Sequence, residues 1–316
     1  MTKFKELFEQ AGTIAIAGHI RPDGDCSGSC LGTYLYLKDL FPEKTIHLYL
    51  QPIPQVFRFL KGSDEILLPD GEPKEYDMFL VLDCGDEQRL GEASVYFKRA
   101  KKTVCIDHHI SNRSFADLNF VYPNASSTCE LVFGFMEEER ITKDIAACIY
   151  VGLVHDTGVF QYSNTSARTM EIAGILMEKG INFSRIVDST FYAKTFEQNK
   201  ILGYALLNSV LYQSERVIFS SVSINTMQEY QVQGEDLEGI VSQLRMTKEA
   251  DTAVFIHETA PEQWKVSMRS NEAVNVSDIA LFFGGGGHVR AAGFSLTGSP
   301  ESIIKDILAQ IKIQLS

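Results

Sequence analysis

The chain has 316 residues, 45% of them apolar, enough for one large core or two ordinary ones, and this length favours two domains. Forty-one acids against 29 Lys and Arg leave a formal net charge of −12, a surface that repels long nucleic acid and excludes a polyanion groove. No apolar run reaches the roughly 18 residues of a membrane span, and Met1–Glu6 has no apolar signal core, so a cytoplasmic protein is expected.

In chain order, Thr13–Gly18 reads as a buried strand ending at His19. The turn Arg21-Pro22-Asp23-Gly24-Asp25 follows, then a helix from about Ser27 to Leu40, ahead of Pro42. Thr45–Leu50 is a second strand. Met78–Leu82 is a third, ending at Asp83, and Thr103–Ile106 a fourth, ending at Asp107. Helical patterns cover about Ser127–Glu138, Thr142–Val154 and Ser166–Glu178. Strand–helix alternation of this kind predicts a parallel, doubly wound α/β sheet, with His19, Asp83 and Asp107 on one sheet edge. Phe196–Leu211 reads as a helical connector. Strands at Arg216–Val222, Thr252–Glu258, Trp264–Arg269 and Ala292–Leu296, with a helix over Pro300–Ile313, form a smaller mixed α/β domain. The expected boundaries are 1–190, 191–212 for the connector and 213–316. The six cysteines lie in apolar surroundings without Cys-x-x-Cys pairs and are expected as small buried thiols.

Asp107-His108-His109 is the hardest feature to explain by packing. Buried carboxylates and imidazoles are costly unless paired or bound to metal. His19, Asp23, Asp25, Asp83 and Asp156 join the triplet at other strand or helix ends. Asp156 sits at a helix C-terminus, where the helix dipole disfavours a carboxylate. Any one of these has an ordinary structural explanation; the whole set needs several at once. A donor set richer in carboxylates than imidazoles, without cysteine, suits Mn²⁺ or Mg²⁺, and so many ligands suit a two-ion site for displacement at phosphorus. Two such ions would reduce the charge to about −8. In the second domain, Gly284–Gly287 can offer backbone N–H groups to an anion, and Arg269 and His288 add cations. Arg290, Asn112 and Arg113 are weaker candidates for the same role. Ser126, Ser127 and Glu130 read as a helix cap. No Gly-x-Gly-x-x-Gly follows the first strand, which excludes a dinucleotide-binding oxidoreductase.

His19-Ile20-Arg21-Pro22-Asp23-Gly24-Asp25, Asp83, Asp107-His108-His109 and His155-Asp156 resemble, in order, the four motifs of the DHH phosphoesterase superfamily. Arg269-Ser270 and Gly284–His288 ahead of Ala291-Ala292-Gly293 resemble its DHHA1 companion domain. The resemblance implies a hydrolase of phosphoester bonds with two divalent cations, Mn²⁺ before Mg²⁺. One would be held by His19, Asp23 and Asp83, the other by Asp25, Asp83, His108 and Asp156. Catalytic roles would fall to Asp83 as bridge, to Asp107 orienting an imidazole and to His109 facing the scissile phosphate. Arg269, Ser270, Gly285, Gly286, Gly287 and His288 would bind substrate.

A two-domain chain of this length is similar to the nano-RNase group, bifunctional oligoribonucleases that also dephosphorylate 3′-phosphoadenosine 5′-phosphate. The expected partners are short RNA or DNA oligonucleotides or small phosphorylated nucleotides, with no long duplex and no membrane; a homodimer is left open. The alternatives are a phosphodiesterase of linear or cyclic di-adenylate and a catalytically silent nucleotide-binding regulator. Arg21, Cys26 and Cys84 depart mildly from the usual pattern and raise the question of oxidation near the metals.

Overall fold

The structure, a computed structural model, describes residues 3–70, 72, 74–212, 214, 216–271 and 273–315; Met1 and Thr2 of the N-terminal segment considered above lie outside them. The chain divides into two compact units, Met1–Ala193 and Lys194–Ser316.

In the first unit, β1 (Thr13–Ala17), β2 (Thr45–Tyr49), β3 (Met78–Leu82), β4 (Lys102–Asp107) and β5 (Leu118–Val121) form one sheet in the order β2–β1–β3–β4–β5, every pair parallel. A parallel sheet is covered on both faces, so its strands are apolar on both sides. Ile14, Ile16, Leu80, Leu82, Val104 and Ile106 belong to one core. Ala15, Ala17, Phe79, Val81 and Cys105 belong to the other. The helices in chain order are α1 (Phe4–Phe8), α2 (Gly24–Leu40), α3 (Ser94–Phe97), α4 (Thr128–Phe135), α5 (Lys143–Asp156), α6 (Ala167–Glu178) and α7 (Phe183–Val187). Residues of α2, α4, α5 and α6 fill the first core, and Phe4 of α1 stacks on Phe135 with ring centroids 5.3 Å apart. Tyr96 and Phe97 of α3 fill the second. All six cysteines are buried free thiols.

Helix α2 begins earlier than the sequence pattern suggests. Asp23 caps it, its Oδ1 accepting from the Asp25 and Cys26 N–H groups at 3.1 and 3.0 Å, so Asp25 is a first-turn residue rather than part of a turn. Strand β5 was not anticipated, because all four of its residues are only half-buried and carry no strong alternation.

In the second unit, β6 (Val210–Tyr212), β7 (Val217–Val222), β8 (Thr252–Ala260), β9 (Gln263–Ser270), β10 (Gly286–His288) and β11 (Ala291–Thr297) form a sheet in the order β10–β11–β9–β8–β7–β6. Only β7–β8 is parallel among its neighbouring pairs. Its helices are α8 (Phe196–Leu207), α9 (Ile224–Glu229), α10 (Ile240–Arg245), α11 (Val276–Phe282) and α12 (Pro300–Leu315). Ile201 and Ala205 of α8, in the stretch expected as a connector, are buried with Ile218, Val222, Ala253 and the α10 residues Ile240 and Leu244. The other face packs Val254, Met268 and Phe294 against α11 and the Ile303–Ile304–Ile307–Ile311 stripe of α12. No described helix is long and apolar enough to cross a membrane.

Candidate active site

The strand order places a topological switch between β1 and β3: the chain leaves β1 for β2 on one side and reaches β3 on the other. In open α/β sheets a ligand crevice forms there, beyond the carboxyl ends of the strands. His19 lies just past β1, Asp83 directly follows β3, and Asp107 is the last residue of β4 with His108 and His109 after it. Asp83 adopts φ 54°, a left-handed conformation that Asp tolerates better than most residues. Asp25 is in the first turn of α2, and Asp156 ends α5.

Glycines bring these two helices together. A Cβ on Gly28 would stand 2.4 Å from the Cys148 carbonyl oxygen, and one on Gly152 would stand 2.6 Å from Asp25 Oδ1. Only glycine fits such an approach, and it sets Asp156 beside Asp25 and His108.

His19, Asp25, Asp83 and Asp107 are buried, and the Asp23 side chain is 60% exposed. His19 Nε2 lies 3.6 Å from Asp23 Oδ2 and 3.6 Å from Asp83 Oδ2. His108 Nε2 lies 3.0 Å from Asp156 Oδ2, 3.7 Å from Asp83 Oδ1 and 3.9 Å from Asp25 Oδ2. Asp83 thus faces both imidazoles, one with each oxygen.

The ring tautomers follow from the backbone. His19 Nδ1 is 2.8 Å from the Ile20 carbonyl oxygen, and His108 Nδ1 is 3.3 Å from that of Ala125. Carbonyls only accept, so each Nδ1 carries a proton, and each Nε2 faces carboxylates, toward which it either takes a second proton or turns its lone pair to a cation held between them. Burial opposes charge on both rings. Even so, Asp23 and Asp83 push the pKa of His19 up, and Asp156 with Asp25 and Asp83 pushes that of His108 up to about 10. In the same place burial raises the pKa of Asp25, helped by Asp83 and Asp156, and raises that of Asp156. Imidazoles that hold protons beside carboxylates that resist losing them mark a centre short of positive charge.

A divalent cation fits this centre. Two ligands at about 2.1 Å from one ion are about 3.0–3.6 Å apart, close to the contacts around His19 and His108, several of which are too long for hydrogen bonds. His19, Cys26 and Asp83 bring one ligand atom each within 4.8 Å of one another, as do Asp83, His108 and His109, and Asp25, His108 and Asp156. Cys26 was not anticipated in such a group; burial pushes its thiol pKa far up, which disfavours a thiolate ligand.

His109 is held differently. Its Nδ1 is 2.7 Å from Asp107 Oδ1, while Asp107 Oδ2 accepts from Asn112 Nδ2 at 2.7 Å. Burial opposes the Asp107 charge, but His109 and Asn112 hold its pKa below the usual value, and the pKa of His109 is raised against burial by Asp107 and Asp83. Asn112 also donates to the Cys84 carbonyl at 3.2 Å, so its amide is turned inward and not toward a phosphate as the sequence suggested. His155, beside Asp156, is a packing residue: burial lowers its pKa to about 4, it meets Thr190 Oγ1 at 3.0 Å, and Phe57 and Phe191 pack edge-on against it.

The sequence reading placed the start of α4 but missed its contacts with the acids. Thr128 N–H donates to Asp25 Oδ2 at 2.6 Å, Cys129 N–H to Asp25 Oδ1 at 2.9 Å, and Thr128 Oγ1 to Asp83 Oδ1 at 3.1 Å. The cap itself is as expected, with Ser127 Oγ accepting from Glu130 N–H at 3.0 Å. The cap signal Ser127-x-x-Glu130 already implied two more free N–H groups on this turn.

In the second unit, register places Arg269 and His288 on either side of Ala291, in one row across β9, β11 and β10. Residues in one row point to one face, here separated by two strand spacings, about 10 Å. Ser270 does not join them. It is buried, and its hydroxyl donates to the Val274 carbonyl at 2.6 Å, because successive strand residues face opposite sides. The glycine run also differs from an open anion nest. Gly284 N–H donates to Leu281 O and Gly285 N–H to Ala280 O at 2.7 Å, with Gly284 at φ 79°, a Schellman stop for α11. Gly286 and Gly287 continue as β10, where a Cβ on Gly287 would stand 2.5 Å from the Ala291 carbonyl oxygen.

Residues 13–153 match the DHH family, N-terminal domain, and residues 214–316 match the DHHA1 domain. The bifunctional oligoribonuclease and PAP phosphatase of Thermus thermophilus is 29% identical, covering 91% of this chain and 85% of that protein. Its counterpart in Bacillus subtilis is 28% identical, covering 90% and 89%. The crystal structure of an exopolyphosphatase-related protein from Bacteroides fragilis superposes with a TM-score of 0.90 at 28% identity, covering 99% of this chain and 96% of that one. With its motif-bearing strand ends in the first unit and its Gly-His strand in the second, the chain belongs to the DHH/DHHA1 phosphoesterase family, hydrolases acting on phosphoester bonds.

Proposed function

We propose that this protein is a cytoplasmic, divalent-metal-dependent phosphoesterase that degrades very short oligonucleotides to mononucleotides and dephosphorylates 3′-phosphoadenosine 5′-phosphate. The observation that carries the metal dependence is the pair of imidazoles whose Nδ1 atoms are tied to carbonyls while their Nε2 atoms face carboxylates at 3.0–3.9 Å. The substrate class is supported by the relatives, which are named for both activities over most of the chain.

His19, Asp23 and Asp83 would hold one ion and Asp25, Asp83, His108 and Asp156 the other, with Mn²⁺ the better fit to this donor set. Bound divalent ions supply Lewis-acid charge and an activated water. His109, fixed at Nδ1 by Asp107, presents Nε2 as a hydrogen-bond donor or general acid for the leaving oxygen. Asp107 orients that ring and stabilises its charge. Arg269 and His288, on one sheet face, bind phosphate, with Gly286, where a Cβ would meet nothing within 4 Å, leaving the backbone open to close approach.

The test is a substrate panel with purified, Mn²⁺-loaded protein and product analysis. Di- and trinucleotides should yield mononucleotides and the bisphosphorylated nucleotide should release phosphate, both abolished by Asp83→Ala. Failure on all of these, and on linear di-adenylate, would overturn the proposal; a clear preference for di-adenylate would replace its substrate.

A further inference from the structure

We infer that Thr128 is a positioning residue that sets the distance between Asp25 and Asp83, an inference that rests on the metal reading above. Asp25 comes from the helix after β1 and Asp83 from the end of β3, and as two buried acids they repel one another. Thr128 is fully buried and donates to both, through its N–H to Asp25 Oδ2 and through its hydroxyl to Asp83 Oδ1. These are the same two oxygens that face His108 Nε2, at 3.9 and 3.7 Å. Among the described residues the Thr128 hydroxyl is the only hydrogen-bond donor on that Asp83 oxygen.

The residue is well placed to act as a spacer. It is the first residue of α4, so its backbone is fixed by the helix start that Ser127 caps. The Glu130 carboxylate fastens the same turn, accepting from Ser126 Oγ at 2.7 Å and Thr169 Oγ1 at 2.6 Å. A β-branched side chain has few χ1 choices, so the hydroxyl has little freedom to leave Asp83. Hydrogen bonds behind metal ligands orient them, and their loss typically costs 10–100-fold in metal affinity.

Thr128→Val keeps shape and N–H but removes the hydroxyl, whereas Thr128→Ser keeps the hydroxyl. Mn²⁺ titration of the full chain by calorimetry, with circular dichroism to confirm folding, reads the effect. Thr128→Val should weaken Mn²⁺ binding about 10–100-fold, and Thr128→Ser should stay within about threefold of the wild type. If Thr128→Val does not fold, Thr128→Ala, which adds no atoms, takes its place with the same expectation. A folded hydroxyl-free variant that binds Mn²⁺ like the wild type overturns the positioning role alone. A wild-type chain that takes up no Mn²⁺ overturns the metal reading and this role with it.

Discussion

Each imidazole at this centre is assigned by what stands behind it. His19 and His108 are backed by carbonyls and turn Nε2 toward acids, whereas His109 is backed by the Asp107 carboxylate, itself braced by Asn112. A carboxylate behind a ring stabilises the charged ring, which suits proton donation. Asp107→Asn should therefore lower kcat by about 10²-fold or more, within the range of general acid catalysis, and leave Mn²⁺ affinity near that of the wild type. Equal losses in kcat and Mn²⁺ affinity would place His109 among the ligands instead. The sequence made these residue types conspicuous, since acids and imidazoles ending apolar runs have few packing explanations. It did not distinguish their partners, because Asn112 reads as a polar loop residue and Thr128 as an ordinary first-turn helix residue until the fold brings them to Asp107 and Asp83. Ser270 was grouped with Arg269, although neighbours in a strand face opposite sides and its hydroxyl turns to the Val274 carbonyl.

Between elements, the decisive contact is that of α2 with α5. Gly24, Gly28 and Gly32 recur every fourth residue on α2, and a Cβ on each would collide with His155, Cys148 and Ile149 of α5, respectively. The sequence reading passed over that spacing, and nothing in the sequence names the partner helix. Gly28→Ala should destabilise the first unit by about 1–3 kcal/mol, because the obstructing atom is a backbone carbonyl that cannot move aside. This loss exceeds the gain of up to about 1 kcal/mol from helix propensity. Gly174→Ala in α6, with nothing within 4 Å, isolates that gain and should stabilise slightly. Urea midpoints of the two variants check the contrast; equal shifts would mean that propensity alone decides. Other elements were illegible for identifiable reasons. Strand β5 is half-buried throughout, and a run of glycines reads alike whether it opens an anion nest or ends a helix as Gly284 and Gly285 do.

For the whole molecule, the alternation of apolar strands and amphipathic helices gave the parallel sheet of the first unit, because a strand covered on both faces leaves a distinctive apolar run. The mixed second sheet left weaker traces, its short β6 and β10 having three residues each. All the proposed metal ligands lie in the first unit, so ion binding should stabilise that unit selectively. At a free Mn²⁺ concentration 100 times Kd the gain is about 2.7 kcal/mol, a rise of several degrees in its melting transition, reversed by EDTA. Scanning calorimetry should show that transition moving while the second unit's stays in place; a uniform shift of both, or none, would contradict the assignment. The helix start at Thr128 and Cys129 also gives the molecule a reporter of its own. Both amide protons point at Asp25, so their nuclear magnetic resonance shifts register the charge state of that carboxylate. Occupancy of the centre could be followed there, residue by residue, without any substrate being turned over.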